Sequence, residues 1–281
     1  MIPPPIRWRV REQLVHLPSP CVMGILNATP DSFHAGSRVD RGSALHLAER
    51  MLKEGASILD IGGASSRPGS SLLPLEEEMR RVLPVVEAVR KRFPEALLSV
   101  DTWRSQVAEA AVHAGAGLVN DISGGTLDPA MLSTVADLHV PYVAMHMQGT
   151  PATMQVEPTY ADVAGEVTRH LSGRLTACRE ARIPDVVIDP GIGFGKTTDH
   201  NYTLLRELPR IVALGAPVLV GVSRKRMINE VLGTSAADAL NGTSVLNTFA
   251  LLGGAAILRV HDVREAFEVV KLVGRFQEEA R

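Results

Sequence analysis

The stretch Val22-Met23-Gly24-Ile25-Leu26 is a short apolar run, and the polar cluster Asn27-Ala28-Thr29-Pro30-Asp31 follows it directly. Seven further apolar runs end in polar or glycine-rich clusters, and a segment with helical character follows each of them. The seven clusters are Asp60-Ile61-Gly62-Gly63, Asp101-Thr102, Asn120-Asp121, His146-Met147-Gln148-Gly149, Asp189-Pro190-Gly191, Ser223-Arg224-Lys225 and Arg259-Val260-His261-Asp262. Units of this kind predict an α/β fold, a (β/α)8 TIM barrel whose strand carboxyl ends share one mouth.

The apolar runs are continuous rather than alternating, which predicts strands buried on both faces, as in a parallel sheet covered by helices. The predicted strands are residues 22–26, 57–61, 97–100, 118–120, 142–145, 186–188, 218–222 and 256–260. One helix should begin at Ser43 as its N-cap, and Pro84 should bend or divide the helix over residues 76–92. Further helices are expected from Pro129, over residues 160–181, 201–208 and 244–252, and over residues 263–277.

The bulk composition excludes several classes of function. The 281 residues carry a net charge of −2 without any Lys/Arg block, and only 4% are aromatic, so we expect no nucleic-acid partner. No stretch approaches the ~18 apolar residues of a membrane span, so we expect no membrane partner. Cys21 and Cys178 lack a CxxC neighbour, and buried free thiols fit a reducing compartment, which favours the cytoplasm.

The chain has no linker or low-complexity tract, so we predict one domain over residues 1–281, with residues 1–20 as a segment that covers the bottom or edge of the barrel. Two predicted connections, residues 28–42 and 62–75, are long for this fold and rich in Gly, Ser and Pro. Long polar loops at the active-site end are typical of lids. The alternative is an insertion without a function.

Five aspartates lie at or beside the predicted strand ends, namely Asp60, Asp101, Asp121, Asp189 and Asp262. An aspartate in this position is often the N-cap of the next helix, and that alternative stays open for Asp121 and Asp262. It suits Asp189 less, because Pro190-Gly191 and a glycine-rich loop follow. A sheltered carboxylate here favours a partner with two adjacent N–H donors, such as an aminopyrimidine edge.

Basic side chains also fall at predicted strand ends. Arg67 lies in a Ser/Pro/Gly loop, Lys225 begins a helix, and Arg259 and His261 point the same way on an extended chain. Arginine, histidine and helix N-termini together suit a pyrophosphate group. A Mg²⁺ ion held by one or two protein oxygens and substrate phosphates fits this pocket, with Asn27 or Asp31 as an oxygen donor. The alternative is that these are surface cations paired with acids.

Other motifs are rejected on spacing. Gly191-Ile192-Gly193-Phe194-Gly195-Lys196 has one residue too few for a Walker loop and does not fit GxGxxG, so Phe194 is better interpreted as a stacking face for a flat ligand. His146 and His261 lie at strand ends, but no HExxH or paired-cysteine spacing indicates zinc. No GxSxG elbow indicates serine-based acyl transfer.

Taken together, the strand-end motifs resemble those of the dihydropteroate synthases, the sulfonamide-target enzymes of folate synthesis. The resemblance extends over about residues 21–275, from Met23-Gly24-Ile25-Leu26-Asn27 to Arg259-Val260-His261-Asp262, and adds Ser65-Ser66-Arg67-Pro68-Gly69 in the second loop. It implies a (β/α)8 barrel that joins 6-hydroxymethyl-7,8-dihydropterin pyrophosphate to p-aminobenzoate, with Mg²⁺ required. It also implies a homodimer, for which residues 244–252 and 263–273 offer apolar faces.

The resemblance implies roles for particular residues. Those expected to hold the pterin are Asp101, Asn120, Asp189 and Lys225, with Met145 beneath the ring. Those expected around the diphosphate are Ser66, Arg67, Arg259 and His261, with Asn27 at the metal. Those expected to border the aminobenzoate are Phe194, Pro68 and Lys225. The expected catalytic residues are Asp101, Asp189, Lys225, Arg259 and His261.

Three positions depart from the family pattern: Ala64 replaces a glutamate, Ser66 a threonine and Arg226 a serine. Ala64 puts the anchoring of the second loop in doubt, and Arg226 could strengthen the binding of the aminobenzoate carboxylate. Two rival interpretations stay open. One is a pterin barrel that transfers a methyl group to a corrinoid protein, and the other is a barrel that binds pterin without catalysis.

Overall fold

The computed structural model describes residues 3–28, 38–63, 73–150, 153–154 and 158–278, with the backbone alone for residues 38–41. The strands of this part of the chain are β1 (Ile6–Val10), β2 (Gln13–Leu17), β3 (Cys21–Asn27), β4 (Ile58–Gly62), β5 (Leu97–Asp101), β6 (Leu118–Asp121), β7 (Tyr142–Met145), β8 (Val186–Asp189), β9 (Leu219–Val220) and β10 (Ile257–Val260). Its helices are α1 (Arg38–Lys53), α2 (Leu75–Arg92), α3 (Ser105–Ala114), α4 (Met131–Leu138), α5 (Val163–Glu180), α6 (Thr198–Arg206), α7 (Leu208–Val212), α8 (Arg226–Leu232), α9 (Leu240–Leu252) and α10 (Val263–Glu278).

Strands β3 to β10 form one eight-stranded parallel sheet in the order β8-β7-β6-β5-β4-β3-β10-β9. The two ends of this sheet meet, because Ile188 of β8 forms a parallel bridge with Val218, beside β9. The Ile188 backbone N–H also donates to the Pro217 carbonyl over 3.0 Å. The sheet therefore closes on itself, and the helices pack against its outer face. The predicted TIM barrel is confirmed.

Side chains alternate between the two faces of each barrel strand. In β3, Val22 and Leu26 pack outward with the helices, whereas Met23 lies in a second cluster inside the barrel. Each of the eight strands contributes at least one residue to this interior layer, and β3 also contributes Cys21. Besides Cys21, these residues are Met23, Ile58, Leu97, Leu118, Val143, Val187, Leu219 and Ile257. The lower part of the barrel is thus filled with apolar side chains, which leaves the mouth for polar ones.

A β-hairpin packs against the interior layer. Strands β1 and β2 pair antiparallel, and Ile6, Trp8 and Leu17 join the same cluster. The Arg9 backbone N–H donates to Asp185 Oδ2 over 2.7 Å, at the start of β8, so the hairpin lies at the amino ends of the strands. We expected a covering segment over residues 1–20 but predicted no strands there, because the prolines obscured the alternating pattern of β1.

Several observed element boundaries differ from the predicted ones, and those of α1 and α9 differ by more than three residues. Helix α1 begins at Arg38, so Ser43 lies inside the helix and is not its N-cap. Helix α6 begins at Thr198, because the Thr197 side chain caps it by accepting the His200 N–H over 3.2 Å. Helices α4 and α9 likewise begin at Met131 and Leu240 rather than at the predicted positions. Strand β9 has only two residues. The chain then forms a turn, in which the Lys225 N–H donates to the Val222 carbonyl.

Pro84 does not divide helix α2, which is continuous from Leu75 to Arg92. A proline inside a helix costs about 3 kcal/mol because it removes a hydrogen bond and crowds the preceding turn. Val82, Val85, Val86 and Val89 lie on the buried face of this helix, and burial of each such side chain contributes about 1.5–3 kcal/mol. Tertiary burial therefore outweighs the local cost. No helix in the described ranges is both long and apolar enough to cross a membrane.

The hairpin provides a test of how the barrel is closed below. Trp8 is only 2% exposed and fills the amino end of the barrel, so Trp8→Ala should lower the free energy of unfolding by about 3–5 kcal/mol. Urea denaturation measures this change. Leu14→Ala in the same hairpin is the matched control, because Leu14 is 62% exposed and should cost no more than about 0.5 kcal/mol. Equal losses for the two variants would show that the hairpin does not seal the core.

Candidate active site

The mouth of the barrel is built by residues that follow the interior layer on the same face. In β4, Ile58 belongs to that layer, and the next residue facing inward is Asp60. The same step of two residues leads in other strands to Asn120, Met145, Asp189 and Arg259. All of them lie near the carboxyl ends of their strands, so strand periodicity brings them to one place.

Arg259 lies between two carboxylates. Its Nε donates to Asp60 Oδ2 and its Nη2 donates to Asp101 Oδ2, each over 2.6 Å. Asn120 Nδ2 donates to the same Asp60 oxygen over 2.9 Å. Burial opposes the charged form of Arg259, but the carboxylates of Asp60 and Asp101 outweigh burial and raise its pKa. The guanidinium is therefore a permanent positive charge whose direction is fixed by two other strands.

The pKa of Asp101 is shifted by burial and by its charged neighbours. Burial raises its pKa, the Arg259 guanidinium lowers it, and the neighbouring Asp60 carboxylate raises it again. Its charge is thus supported mainly by Arg259. A ligand that donates a hydrogen bond to Asp101 would add to that support.

Asp60 is a site residue that the sequence analysis noted at a strand end but left without a role. It is completely buried, and its Oδ2 accepts from both Arg259 and Asn120. Its Oδ1 is buried without a hydrogen-bond partner among the described residues. The signal that identifies Asp60 is its spacing from Ile58, which places it on the inner face of β4.

Asp189 lies at the end of β8 and is nearly buried. Its Oδ1 accepts the Gly191 N–H over 2.7 Å. Burial raises the pKa of Asp189, whereas the positive charges of Lys225, Arg259 and Lys196 lower it. A carboxylate has about four acceptor positions, so Asp189 retains capacity for the paired N–H donors of a ligand.

Lys225 and Phe194 lie beside Asp189. Lys225 Nζ donates to the Ile192 carbonyl and lies 4.9 Å from the centroid of the Phe194 ring. Burial lowers the pKa of Lys225 to about 8, and Asp189 opposes that shift. This arrangement joins a carboxylate, a cation and an aromatic face, which suits a flat ligand with hydrogen-bonding edges.

His261 is positioned by Ser223, whereas Arg259 is positioned by two aspartates. Its Nδ1 lies 3.0 Å from Ser223 Oγ, and its backbone N–H donates to the same hydroxyl. Arg224 forms a bidentate ion pair with Asp262 over 2.9 and 2.8 Å. These contacts join the loops after β9 and β10, so Asp262 is an ion-pair partner whose role in the site is structural.

Comparisons with known proteins agree with this geometry. Residues 23–261 match the family described as Pterin binding enzyme. The dihydropteroate synthase of Synechocystis is 42% identical over 255 residues, which cover 89% of this chain and 88% of that protein. The chain belongs to the dihydropteroate synthase family.

Solved structures of the family have the same fold. The Yersinia pestis dihydropteroate synthase, in a sulfonamide drug complex, superposes with a TM-score of 0.90 at 40% identity, covering 97% of this chain and 100% of that one. The Xanthomonas albilineans dihydropteroate synthase, solved with 4-aminobenzoic acid, gives 0.89 at 42% identity, covering 96% and 98%.

Some expected family positions lie outside the described residues. Ser66, Arg67 and Pro68 belong to that group, as do Asp31 and Ala64. Most of the two predicted lids is therefore also untested. Arg226 is described, and its side chain is 77% exposed and paired with Glu230 of the same helix. That pairing occupies the guanidinium that we expected near an aminobenzoate carboxylate.

The donor set fits the Mg²⁺ that the family implies. Asn27 is partly exposed at the end of β3, where it provides one neutral oxygen. The described part of the chain has no group of three or more His, Cys, Asp or Glu residues that would hold a metal ion by itself. One neutral oxygen is what an ion bound chiefly by substrate phosphates and water requires.

Asp121 proves to be a structural residue of the rim. Its completely buried carboxylate accepts from Ser123 N–H, Ser123 Oγ, Gly125 N–H and the Tyr142 hydroxyl. It therefore organises the loop after β6 through a set of short bonds rather than capping helix α4.

Removal of one of these bonds should be costly. Tyr142→Phe deletes the 2.6 Å bond to Asp121 without changing the ring, and should lower the free energy of unfolding by about 1.5–3 kcal/mol. Denaturant unfolding measures the loss. Tyr202→Phe is the control, because its hydroxyl makes only a 3.4 Å contact to the Met227 carbonyl. A Tyr142→Phe loss no larger than the control's would contradict this role for Asp121.

Proposed function

We propose that this protein catalyses the dihydropteroate synthase reaction, in which 6-hydroxymethyl-7,8-dihydropterin pyrophosphate and p-aminobenzoate give 7,8-dihydropteroate and pyrophosphate. One observation carries the proposal. The buried acid Asp189 and the partly buried cation Arg259 face inward at the carboxyl ends of β8 and β10, and each shifts the pKa of the other. A single molecule with a hydrogen-bond-donating ring and an anionic tail can therefore contact both.

The reaction balances without a strong base. The amine nitrogen of p-aminobenzoate forms a bond to the methylene carbon of the pterin, and the bond from that carbon to the diphosphate oxygen breaks. Pyrophosphate leaves with the electron pair, and the amine nitrogen releases its extra proton to solvent. An arylamine is already neutral at pH 7, so the demand on the protein is electrostatic.

Each end of the site meets one part of that demand. Asp189, with Asp101 and Asn120, would accept hydrogen bonds from the pterin, so that negative charge offsets the positive charge that develops on the ring. Arg259 and His261 would face the diphosphate, together with Ser66 and Arg67. Met145 would lie beneath the pterin, and Phe194, Pro68 and Lys225 would border the aminobenzoate.

Mg²⁺ is part of the proposal. When bound, it would neutralise charge on the departing diphosphate, and Asn27 would supply one of its oxygen ligands. The chain's own contribution on that side is the fixed guanidinium of Arg259, which requires no metal to keep its charge or direction.

Pyrophosphate release tests the proposal. The purified protein, given both substrates and Mg²⁺, should release pyrophosphate in a coupled assay, with p-aminobenzoate required. A pterin barrel that transfers methyl groups, or one that only binds pterin, would release none. Failure of release by folded protein that binds the pterin would therefore reject the proposed reaction.

Asp189→Ala tests the pterin end of the site. Loss of a buried, charged hydrogen-bond partner should weaken pterin binding by at least about 2–3 kcal/mol, measured by titration calorimetry. Asp199→Ala, at an exposed position in the same region of the chain, is the matched control and should bind normally. Unchanged affinity in Asp189→Ala would refute the assignment.

We also propose that the protein is a cytoplasmic homodimer. Its two cysteines are free and buried, which agrees with a reducing compartment. Val245, Phe249 and Leu252 are exposed along one face of α9, and Phe249 and Leu252 also line a groove of about 470 Å³ against α6 and α7. Exposed apolar patches of this kind are typical of interfaces, and a ring beside a groove suits a twofold, self-complementary contact.

A charge placed in this patch should separate the subunits. Phe249→Glu should elute as a single chain in size-exclusion chromatography with light scattering, whereas the wild type should have twice that mass. Leu14→Glu is the control, because Leu14 is similarly exposed but lies on the hairpin rather than on α9. A dimeric Phe249→Glu variant, or a monomeric wild type, would contradict the proposed interface.

A further inference from the structure

The loop between β8 and α6 buries a lysine that the proposed chemistry does not use. Lys196 is only 3% exposed, and lysines are almost never buried without partners. In the sequence, Lys196 is the last residue of the stretch that does not fit a Walker loop. Its burial therefore requires a separate explanation.

Lys196 has a matched set of partners. Its Nζ lies 2.9 Å from each of three acceptors, which are His146 Nδ1, the Gly191 carbonyl and the Phe194 carbonyl. An ammonium group has three donors and no acceptor, so the charged form satisfies all three contacts at once. This network also assigns His146 as the tautomer with its proton on Nε2.

The loop that Lys196 binds contains Phe194 and contacts two other expected site residues, Asp189 and Lys225. The Gly191 N–H donates to Asp189, and the Ile192 carbonyl accepts from Lys225. Phe194 presents its ring to Lys225. Lys196 binds the carbonyls of Gly191 and Phe194, so it closes the loop on both sides of the Lys225 contact.

The backbone leaves this loop little freedom to find another shape. Gly191 and Gly195 have positive φ values. A Cβ on Gly191 would lie 1.9 Å from the His146 carbonyl oxygen, and a Cβ on Gly195 would lie 2.5 Å from the Gln148 carbonyl oxygen. The loop is therefore pressed against the chain after β7. The Lys196–His146 bond joins the same two segments through side chains.

The charges near Lys196 and His146 are consistent with Lys196 as the donor and His146 as the acceptor of their bond. Burial lowers its pKa to about 7, Asp189 raises it and Lys225 lowers it. On the other side, His146 is kept neutral, because burial and then the charges of Lys196 and His170 lower its pKa to about 2. His146 therefore stays an acceptor while Lys196 is a donor.

We propose that Lys196 is a positioning residue, whose ammonium, bonded to His146 and to its own loop, fixes Phe194 and Lys225 at the aminobenzoate side of the site. This role rests on the proposed function. Lys196 also helps to keep Asp189 charged. The pterin end nevertheless depends less on Lys196, because Asp189, Asp101 and Asn120 lie on three paired strands. Loss of Lys196 should therefore affect the two substrates unequally.

Lys196→Met keeps the length of the side chain and removes its charge and donors. We expect the KM for p-aminobenzoate to rise at least about tenfold by analogy with loss of a charge-assisted contact, with pterin affinity changed less than about threefold. Lys91→Met, at an exposed position, is the control and should match the wild type. A purely stabilising role would lower the amount of active enzyme and the melting temperature without separating the two substrates, and that result would overturn the proposal.

Replacement of His146 supplies a rescue test. His146→Asn places an acceptor oxygen near the position of Nδ1 and should leave the KM for p-aminobenzoate close to the wild-type value. His146→Leu has no acceptor and should raise the KM in the direction of Lys196→Met. Equal behaviour of the two His146 variants would show that the bond to Lys196 has no positioning role.

Hydrogen exchange keeps this inference separate from the proposed function. If the wild type releases no pyrophosphate, the proposed reaction fails, but the loop can still be examined without substrates. The Phe194 amide donates to the Gly191 carbonyl within this loop and should exchange at least about tenfold faster in Lys196→Met than in the wild type. Unchanged exchange would overturn the role of Lys196.

Discussion

The partly buried guanidinium of Arg259, paired with Asp60 and Asp101, forms the interaction on which the mouth of this barrel depends. It joins strands β10, β4 and β5 across the interior, directly above the apolar layer. Burial of charges is expensive, and well-packed apolar residues often stabilise a core equally well. The ion pairs therefore contribute a charged group of fixed direction rather than extra stability. Asn120 extends the same network to β6.

A second network, centred on Asp189, is built largely from one loop. In the loop after β8, glycines with positive φ allow backbone groups to turn toward the site. Gly191 contacts Asp189, while Lys225 reaches the Ile192 carbonyl from the next loop. The barrel strands set the depth of Asp189, whereas the loop sets the position of Phe194. The two networks meet electrostatically, because Asp189 and Arg259 influence each other.

Stability and function are divided between neighbouring side chains of the same strand ends. In β6, Asn120 faces the mouth, whereas Asp121 accepts four bonds that organise its own loop. In the last unit, Arg259 faces the mouth and Asp262 binds Arg224. Composition does not distinguish such pairs, since each contains similar polar residues. The roles of Asn120 and Asp121 follow from the face of β6 on which each lies, whereas Asp262 lies beyond the end of β10.

The sequence by itself determined the barrel, the order of its strands and the set of polar residues at its mouth, because continuous apolar runs must be buried and their polar ends cannot be. The helix start at Ser43 was mispredicted, and Pro84 does not divide α2, since burial of that helix's apolar face outweighs the local cost of the proline. Only the tertiary structure decided that Asp60 holds Arg259 and that Lys196 binds His146. These contacts join residues distant in the chain, and no local pattern records which buried charge will meet which partner once the sheet has closed.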